Sequence, residues 1–235
     1  MLSSGVPASV MNIPPKDLES EYRTLCRALQ ESRTEEAVEA VKRFPEKPER
    51  LERRQPRIEP VTDGEASGVA KRARSIPVGK QLRVFRRDGF NCAYCGNKTV
   101  LVPALRVIAE YFKEMGKESS FRYHKNWKYA ECHYAFWRDS ASCDHIRPFV
   151  RGGGIATPTS DIGNLITACF MCNLQKGKSA GPEHFDGPAR PWDGLAGIYP
   201  PLVRKRWGSA IPGHHSAWIT ALERPAPGSD LASQL

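Results

Sequence analysis

The chain has 235 residues, of which 40% are hydrophobic, so it is long enough to bury at least one sizeable core. No apolar run approaches the length that a membrane-spanning helix needs, and the first residues lack the basic-then-apolar order of a secretory signal. We therefore predict a cytoplasmic protein with no membrane partner.

Positive charge is concentrated in the middle of the chain. The formal net charge is +9, and residues 76–180 hold 16 Lys and Arg against 8 Asp and Glu. Both flanks are close to neutral. A basic centre predicts a polyanionic partner, and nucleic acid is the commonest one.

Residues 1–44 are predicted to form an N-terminal helical segment. Apolar residues recur there at spacings of four, three and four: Leu18, Tyr22, Leu25 and Leu29. This spacing lines one face of a helix. Ser32 and Glu35 have the spacing of a capping box, which predicts the start of a second short helix and hence a helical hairpin.

The rest of the chain divides by composition into three parts. Residues 45–75 are rich in Pro, Glu and Arg and poor in large apolar side chains, so they are predicted to be a charged linker. Residues 76–180 carry all the motifs, with 97–142 as an insert between two cysteine pairs. Residues 181–235 are predicted to be a helical extension whose apolar residues pack back onto the central part.

The insert is predicted to begin with an amphipathic helix over residues 102–115. An aromatic segment follows, which contains Tyr134, Phe136 and Trp137. These side chains are expected in the core, and stacking on nucleic acid bases is the alternative. Further along, His214 and His215 lie in a stretch with Pro and Gly and are predicted at the surface.

Four of the seven cysteines form two Cys-x-x-Cys pairs: Cys92, Cys95, Cys169 and Cys172. An odd total argues against a closed disulfide framework. Zinc binds four thiolates in a tetrahedron, and two such pairs from distant parts of the chain leave no coordination position open. The spacing therefore predicts a structural zinc ion that joins the start of the domain to its last helix.

A second cluster of polar residues surrounds an Asp-His pair. Asp144 and His145 are adjacent, and a glycine-rich stretch follows them. Adjacent side chains on a strand point in opposite directions, so one can hold a metal while the other accepts a proton from water. Asn164 opens a predicted second strand, and Asn173 lies on a predicted final helix that starts near Cys169.

These stretches together resemble the HNH endonuclease family, in its zinc-bound subtype with two Cys-x-x-Cys pairs. The resemblance rests on FRRDGFNCAYCG at 85–96 and on DHIRPFVRGGG, DIGNL and CFMCNLQKGK within 144–178. It implies an α+β fold: a small ββα-metal core of two antiparallel strands and a helix, clamped by a four-cysteine zinc site, with helical extensions at both ends.

The resemblance also implies roles for individual residues. Asp144 becomes a metal ligand, His145 the general base and Asn164 the residue that orients the imidazole. Asn173 becomes the second metal ligand, where the family pattern has histidine. Oxygen ligands favour Mg²⁺ or Mn²⁺ at this site. Four basic residues are candidates for binding nucleic acid phosphates: Arg147, Arg151, Lys176 and Lys178.

The predicted activity is hydrolysis of DNA phosphodiester bonds, with double-stranded DNA as the expected partner. A zinc-stabilised DNA-binding module without catalysis, or a subunit of a nucleic-acid-processing complex, is the alternative. RNA is the alternative substrate. One site of this kind cuts one strand at a time, so a double-strand break requires a homodimer, a larger complex or two events.

Overall fold

The computed structural model of the chain describes residues 17–49, 76–146, 161–177, 181–182 and 192–224. Within these residues the chain forms eight α-helices and one two-stranded sheet, so the fold is α+β, as the resemblance implies. No helix in this part of the chain is both long and apolar enough to cross a membrane.

Most of the predicted linker, residues 50–75, lies outside the described residues. The described parts before and after it belong to one continuous hydrophobic cluster, which includes Leu25, Phe85 and Leu202. The proposed boundaries between segments stay predictions.

The N-terminal segment folds as a pair of helices, α1 (Glu19–Gln30) and α2 (Thr34–Lys42), which pack against each other. The helical hairpin is thereby confirmed, but the capping box is wrong. Helix α2 has Arg33 at its N-cap position and no side-chain cap. Ser32 has a φ of 59°, whereas an N-cap residue needs extended backbone, and its hydroxyl accepts a hydrogen bond from Lys205 at 2.8 Å.

The central part begins with α3 (Val78–Arg87), which leads into the first cysteine pair. Helix α4 (Val102–Glu114) confirms the predicted amphipathic helix, and Gly116 ends it at a φ of 68°, a conformation that glycine adopts without a steric penalty. A short helix, α5 (Ala135–Arg138), then leads into the sheet.

Two antiparallel strands form the sheet, β1 (Ala141–His145) and β2 (Leu165–Cys169). The last helix of this part, α6 (Phe170–Lys176), follows β2 without a loop. Both α3 and α6 contact both strands. All five residues of β2 are buried, which fits its largely apolar sequence.

Two helices follow in the C-terminal part, α7 (Tyr199–Trp207) and α8 (Gly213–Glu223). The indole nitrogen of Trp192 donates a hydrogen bond to the carbonyl oxygen of Thr99 at 2.6 Å. Leu195 is fully buried, so the predicted packing onto the central part is confirmed.

The structure separates the alternatives for the aromatic segment. Its three named side chains are almost fully buried, at 3%, 0% and 7% exposure for Tyr134, Phe136 and Trp137. They therefore belong to the core, and stacking of these rings on bases is excluded. The surface position predicted for His215 is wrong, because its ring is buried and its Nδ1 lies 2.8 Å from the Tyr199 hydroxyl. His214 is exposed, as predicted.

Candidate active site and metal centre

The two cysteine pairs meet in space. The sulfur atoms of all four cysteines lie within 4.8 Å of one another, and the Cys95 and Cys169 sulfurs are 4.0 Å apart. Zinc–sulfur bonds of about 2.3 Å in a tetrahedron place the sulfurs about 3.8 Å apart, so the four thiols fit one zinc ion. No other His, Cys, Asp and Glu cluster of this kind occurs among the described residues.

Local hydrogen bonds fold each Cys-x-x-Cys pair into a tight turn, which we call a cysteine hook. Cys92 donates from its amide to the Asn97 carbonyl at 2.9 Å, and Gly96 donates back to the Cys92 carbonyl at 2.9 Å. On the other side, the Cys169 sulfur accepts a hydrogen bond from the Cys172 amide at 3.4 Å, so this thiol also caps α6. The same residue thus ends β2, starts α6 and offers a metal ligand.

Hydrogen bonds among the four thiols favour ionisation of Cys92. Burial opposes ionisation of Cys92, but hydrogen bonds with the other three thiols outweigh it and hold its pKa well below the ordinary value. A thiolate is the form that zinc binds. The same hydrogen bonds raise the pKa of Cys169, so a zinc ion that binds the four sulfurs would displace protons from the cluster.

Asp144 lies on the face of β1 that contacts α6. Its carboxylate is buried, and Lys176 from α6 places its Nζ atom 2.9 Å from Oδ1. Lys176 also donates to the His145 carbonyl oxygen at 2.5 Å. The hydroxyl of Tyr94 donates to Asp144 Oδ2. Both carboxylate oxygens are thus held by groups from other parts of the chain.

Asn173 approaches the same face of β1. Its Nδ2 atom donates to the Ser142 hydroxyl at 3.1 Å, and Ser142 shares a strand face with Asp144, two residues further on. This contact engages the amide nitrogen and leaves the amide oxygen as the acceptor. A carboxylate and an amide oxygen are donors that suit Mg²⁺ or Mn²⁺.

His145 is the last residue of β1 and pairs with Leu165 in the sheet. Strand periodicity places its half-buried ring on the face opposite Asp144. Asn164 immediately precedes β2, and its carbonyl oxygen accepts a hydrogen bond from the Ile146 amide at 3.0 Å. The sheet therefore brings Asn164 next to the end of β1 that carries His145.

Sequence reasoning missed two residues that fix this end of the sheet. Arg87 donates to the carbonyl oxygens of Ile162 at 3.0 Å and Leu165 at 2.6 Å, on either side of Asn164 in sequence. Asp88 forms an ion pair with Arg87 and accepts from the Thr167 amide at 2.7 Å. The Arg-Asp-Gly sequence ahead of the first cysteine pair was the available signal.

Of the four predicted phosphate-binding residues, three lie outside the described residues: Arg147, Arg151 and Lys178. The fourth, Lys176, has a side chain that is only 5% exposed. Its role in binding phosphate stays a prediction.

Comparison with known families identifies the segment that carries the Asp-His pair. Residues 130–179 match the family model of the HNH endonucleases, which confirms the resemblance for this segment. The match includes β1, β2 and α6 with the second cysteine pair, whereas Cys92 and Cys95 lie ahead of it. No curated protein and no solved structure matches the chain significantly.

Proposed function

We propose that the HNH endonuclease domain in residues 130–179 makes this protein a metal-dependent nuclease that hydrolyses phosphodiester bonds of double-stranded DNA. The observation that supports this most strongly is the position of Asp144. Its buried carboxylate lies on the same strand face as Ser142, which Asn173 of α6 contacts, and the adjacent residue is a half-buried histidine at the end of the strand. A protein that only binds DNA has no need for this combination.

In the proposed reaction, His145 accepts a proton from the attacking water. Imidazole suits this task at neutral pH because its ordinary pKa lies near ~6.5. Asn164 orients the imidazole, and Asp144 and Asn173 hold the divalent ion through oxygen atoms. A bound Mg²⁺ or Mn²⁺ supplies positive charge to the phosphate and to the leaving oxygen.

The four cysteines have a separate, structural role in this proposal. A zinc ion bound by Cys92, Cys95, Cys169 and Cys172 closes its coordination sphere with protein ligands and takes no part in hydrolysis. It ties the segment after α3 to the start of α6. The central excess of Lys and Arg, with Arg147, Arg151, Lys176 and Lys178 among them, attracts the DNA backbone.

A plasmid-nicking assay tests the proposal. The zinc-loaded protein is incubated with supercoiled plasmid in Mg²⁺, with and without EDTA, and its zinc content is measured after each incubation. We expect nicked circles in Mg²⁺ and none in EDTA, with zinc retained in both. Asp144→Asn is the matched variant, since it preserves shape and removes the charge that a divalent ion requires. Absence of nicking in both Mg²⁺ and Mn²⁺ would reject the proposal.

The Lys176–Asp144 ion pair favours a second candidate function, a zinc-stabilised DNA-binding module or complex subunit without catalysis. An ammonium group already neutralises the carboxylate in this arrangement. Such a protein would shift DNA in a gel at low salt, leave supercoiled plasmid intact and bind no Mn²⁺. The plasmid-nicking assay, a gel shift and a measurement of Mn²⁺ binding therefore distinguish the two candidates.

A further inference from the structure

Tyr94 connects the first cysteine hook to the proposed catalytic centre. It lies between Cys92 and Cys95, and its hydroxyl donates a hydrogen bond to Asp144 Oδ2. The turn that carries it is attached to the sheet, because the Ala93 amide donates to the Thr167 carbonyl oxygen at 2.9 Å. The position of this hydroxyl therefore depends on the hook and on β2 together.

Gly181 also lies close to the Tyr94 hydroxyl. Gly181 donates from its amide to the Ile146 carbonyl oxygen at 2.8 Å. A Cβ atom at Gly181 would lie 2.5 Å from the Tyr94 hydroxyl oxygen, closer than real Cβ contacts come. Only a residue without a side chain fits this approach. A phenol is neutral at physiological pH, so the Tyr94 hydroxyl is the donor in its hydrogen bond with Asp144.

Within the described ranges, two groups hold the Asp144 carboxylate, and they differ in charge. Lys176 is a cation on Oδ1 at 2.9 Å, so it competes with a divalent ion for the same negative charge. Tyr94 is a neutral donor on Oδ2, so it is compatible with an ion on the carboxylate. Hydrogen bonds of this kind orient carboxylates that bind metals, and their loss typically weakens metal binding about 10-fold or more.

We propose that Tyr94 is a positioning residue for Asp144, through which the zinc hook sets the affinity of the catalytic centre for its divalent ion. This inference rests on the proposed function. It assigns the first cysteine hook a second task beside folding, because the hook carries the hydroxyl that orients a ligand of the other metal site.

The test compares Tyr94→Phe, which removes only the hydroxyl, with the wild-type protein. Tyr111→Phe is the matched control, since it also removes a single hydroxyl, which is buried and donates to the Leu202 carbonyl oxygen at 3.0 Å in a different part of the fold. Four quantities are measured for each: zinc content, melting temperature, the Kd for Mn²⁺ by calorimetry, and the Mg²⁺ concentration that gives half-maximal nicking.

For Tyr94→Phe we expect zinc content unchanged, the Kd for Mn²⁺ raised about 10-fold and the Mg²⁺ requirement raised by a similar factor. For Tyr111→Phe we expect the wild-type Kd for Mn²⁺ and the wild-type Mg²⁺ requirement. A wild-type Kd in Tyr94→Phe would overturn the inference and leave the nuclease proposal intact. Loss of zinc from Tyr94→Phe would assign the residue to folding instead. If the wild-type protein neither binds Mn²⁺ nor nicks DNA, both proposals fail.

Discussion

The Lys176 ammonium lies 2.9 Å from the Asp144 carboxylate, and the two side chains are only 5% and 6% exposed. An ion pair this well buried is weakly screened by salt. A divalent ion that binds Asp144 must therefore share the carboxylate with a cation or displace it.

Replacing Lys176 with Met should make the protein's stability depend more strongly on divalent ions. Without the ammonium, the buried carboxylate keeps, from the described part of the chain, only its hydrogen bond from Tyr94, and we expect the free energy of unfolding in EDTA to fall by about 3–5 kcal/mol. Mn²⁺ should restore more stability to this variant than to the wild-type protein, because it replaces the lost charge. Urea unfolding with EDTA and with Mn²⁺ measures both effects.

Lys98→Met is the control for the Lys176 variant, because Lys98 is also ion-paired but with Asp17 and Glu19, on a different part of the chain. Its response to Mn²⁺ should equal that of the wild-type protein. If Mn²⁺ stabilises Lys176→Met no more than it stabilises the wild-type protein, the ammonium and the metal ion do not compete for Asp144.

Replacing Cys169 with Ala should remove the zinc ion and with it the folded state. This sulfur is fully buried, caps α6 and belongs to the four-thiol cluster. Zinc binding of this type contributes about 10 kcal/mol or more to folding in small domains. We expect unfolded or aggregated protein with less than one zinc per chain, measured by elemental analysis and near-ultraviolet circular dichroism.

Cys26→Ala provides the comparison for the zinc prediction, since Cys26 is equally buried on α1 but is not part of the cluster. It should retain one zinc per chain and lose only the stability of a small cavity. A folded Cys169 variant with full zinc content would show that the four-thiol site is not the zinc site.

Replacing His145 with Ala should lower the nicking rate at least ~100-fold, because the attacking water loses its proton acceptor. DNA binding in a gel-shift assay should stay within a factor of about two, since the phosphate contacts remain. His124→Ala serves as control, since His124 lies in the insert beside Glu131 and not on the sheet. Full activity of the His145 variant would exclude this residue as the general base.

His215 should contribute a pH dependence to stability. Burial, with the nearby charges of His214 and Arg106, lowers the pKa of His215 to about 4. Between pH 6.5 and 4 the unfolded chain binds a proton that the folded chain does not, so stability is lost as the pH falls. Allowing for partial screening by solvent, we expect a loss of about 1–2 kcal/mol between pH 7 and 5 from this group.

The measurement for His215 is the free energy of unfolding of His215→Asn and of the wild-type protein at both pH values. The gap between the two proteins should narrow at pH 5, because only the wild-type protein loses the contribution of the neutral ring. Protonation of the zinc thiolates affects both proteins alike and cancels in the difference. His214→Asn should keep most of the pH dependence, because burial of the His215 ring is the main cause of its lowered pKa and the charge of His214 is a smaller one. An equal difference in free energy of unfolding at pH 7 and pH 5 would contradict a lowered pKa of His215.

Local patterns predicted the elements of the centre well. Strand β2 begins directly after Asn164, and α6 starts directly after Cys169. Each of these features depends on residues within a few positions of each other, such as the apolar run of β2 and the spacing of the cysteines. Short-range patterns of this kind are what a sequence displays directly.

Contacts between distant residues escaped prediction. Ser32 looked like a helix cap, but its hydroxyl binds Lys205, which is 173 positions away. His215 looked exposed in a Pro-Gly stretch, but α7 covers it through Tyr199. The contact of the Lys176 ammonium with Asp144, 32 positions away, was not predicted either, while the role of Lys176 in binding phosphate stays a prediction.

The sequence by itself determined which four cysteines come together and the resemblance to HNH endonucleases, which in turn implied the order of strand, strand and helix, because the spacing of cysteines and motifs is visible directly in a sequence. Only the tertiary structure decided which groups hold the Asp144 carboxylate. Tyr94 and Lys176 lie 50 and 32 positions from it, and nothing in local spacing specifies their approach. That approach results from the packing of the cysteine hook and α6 around one short sheet, which depends on the whole core at once.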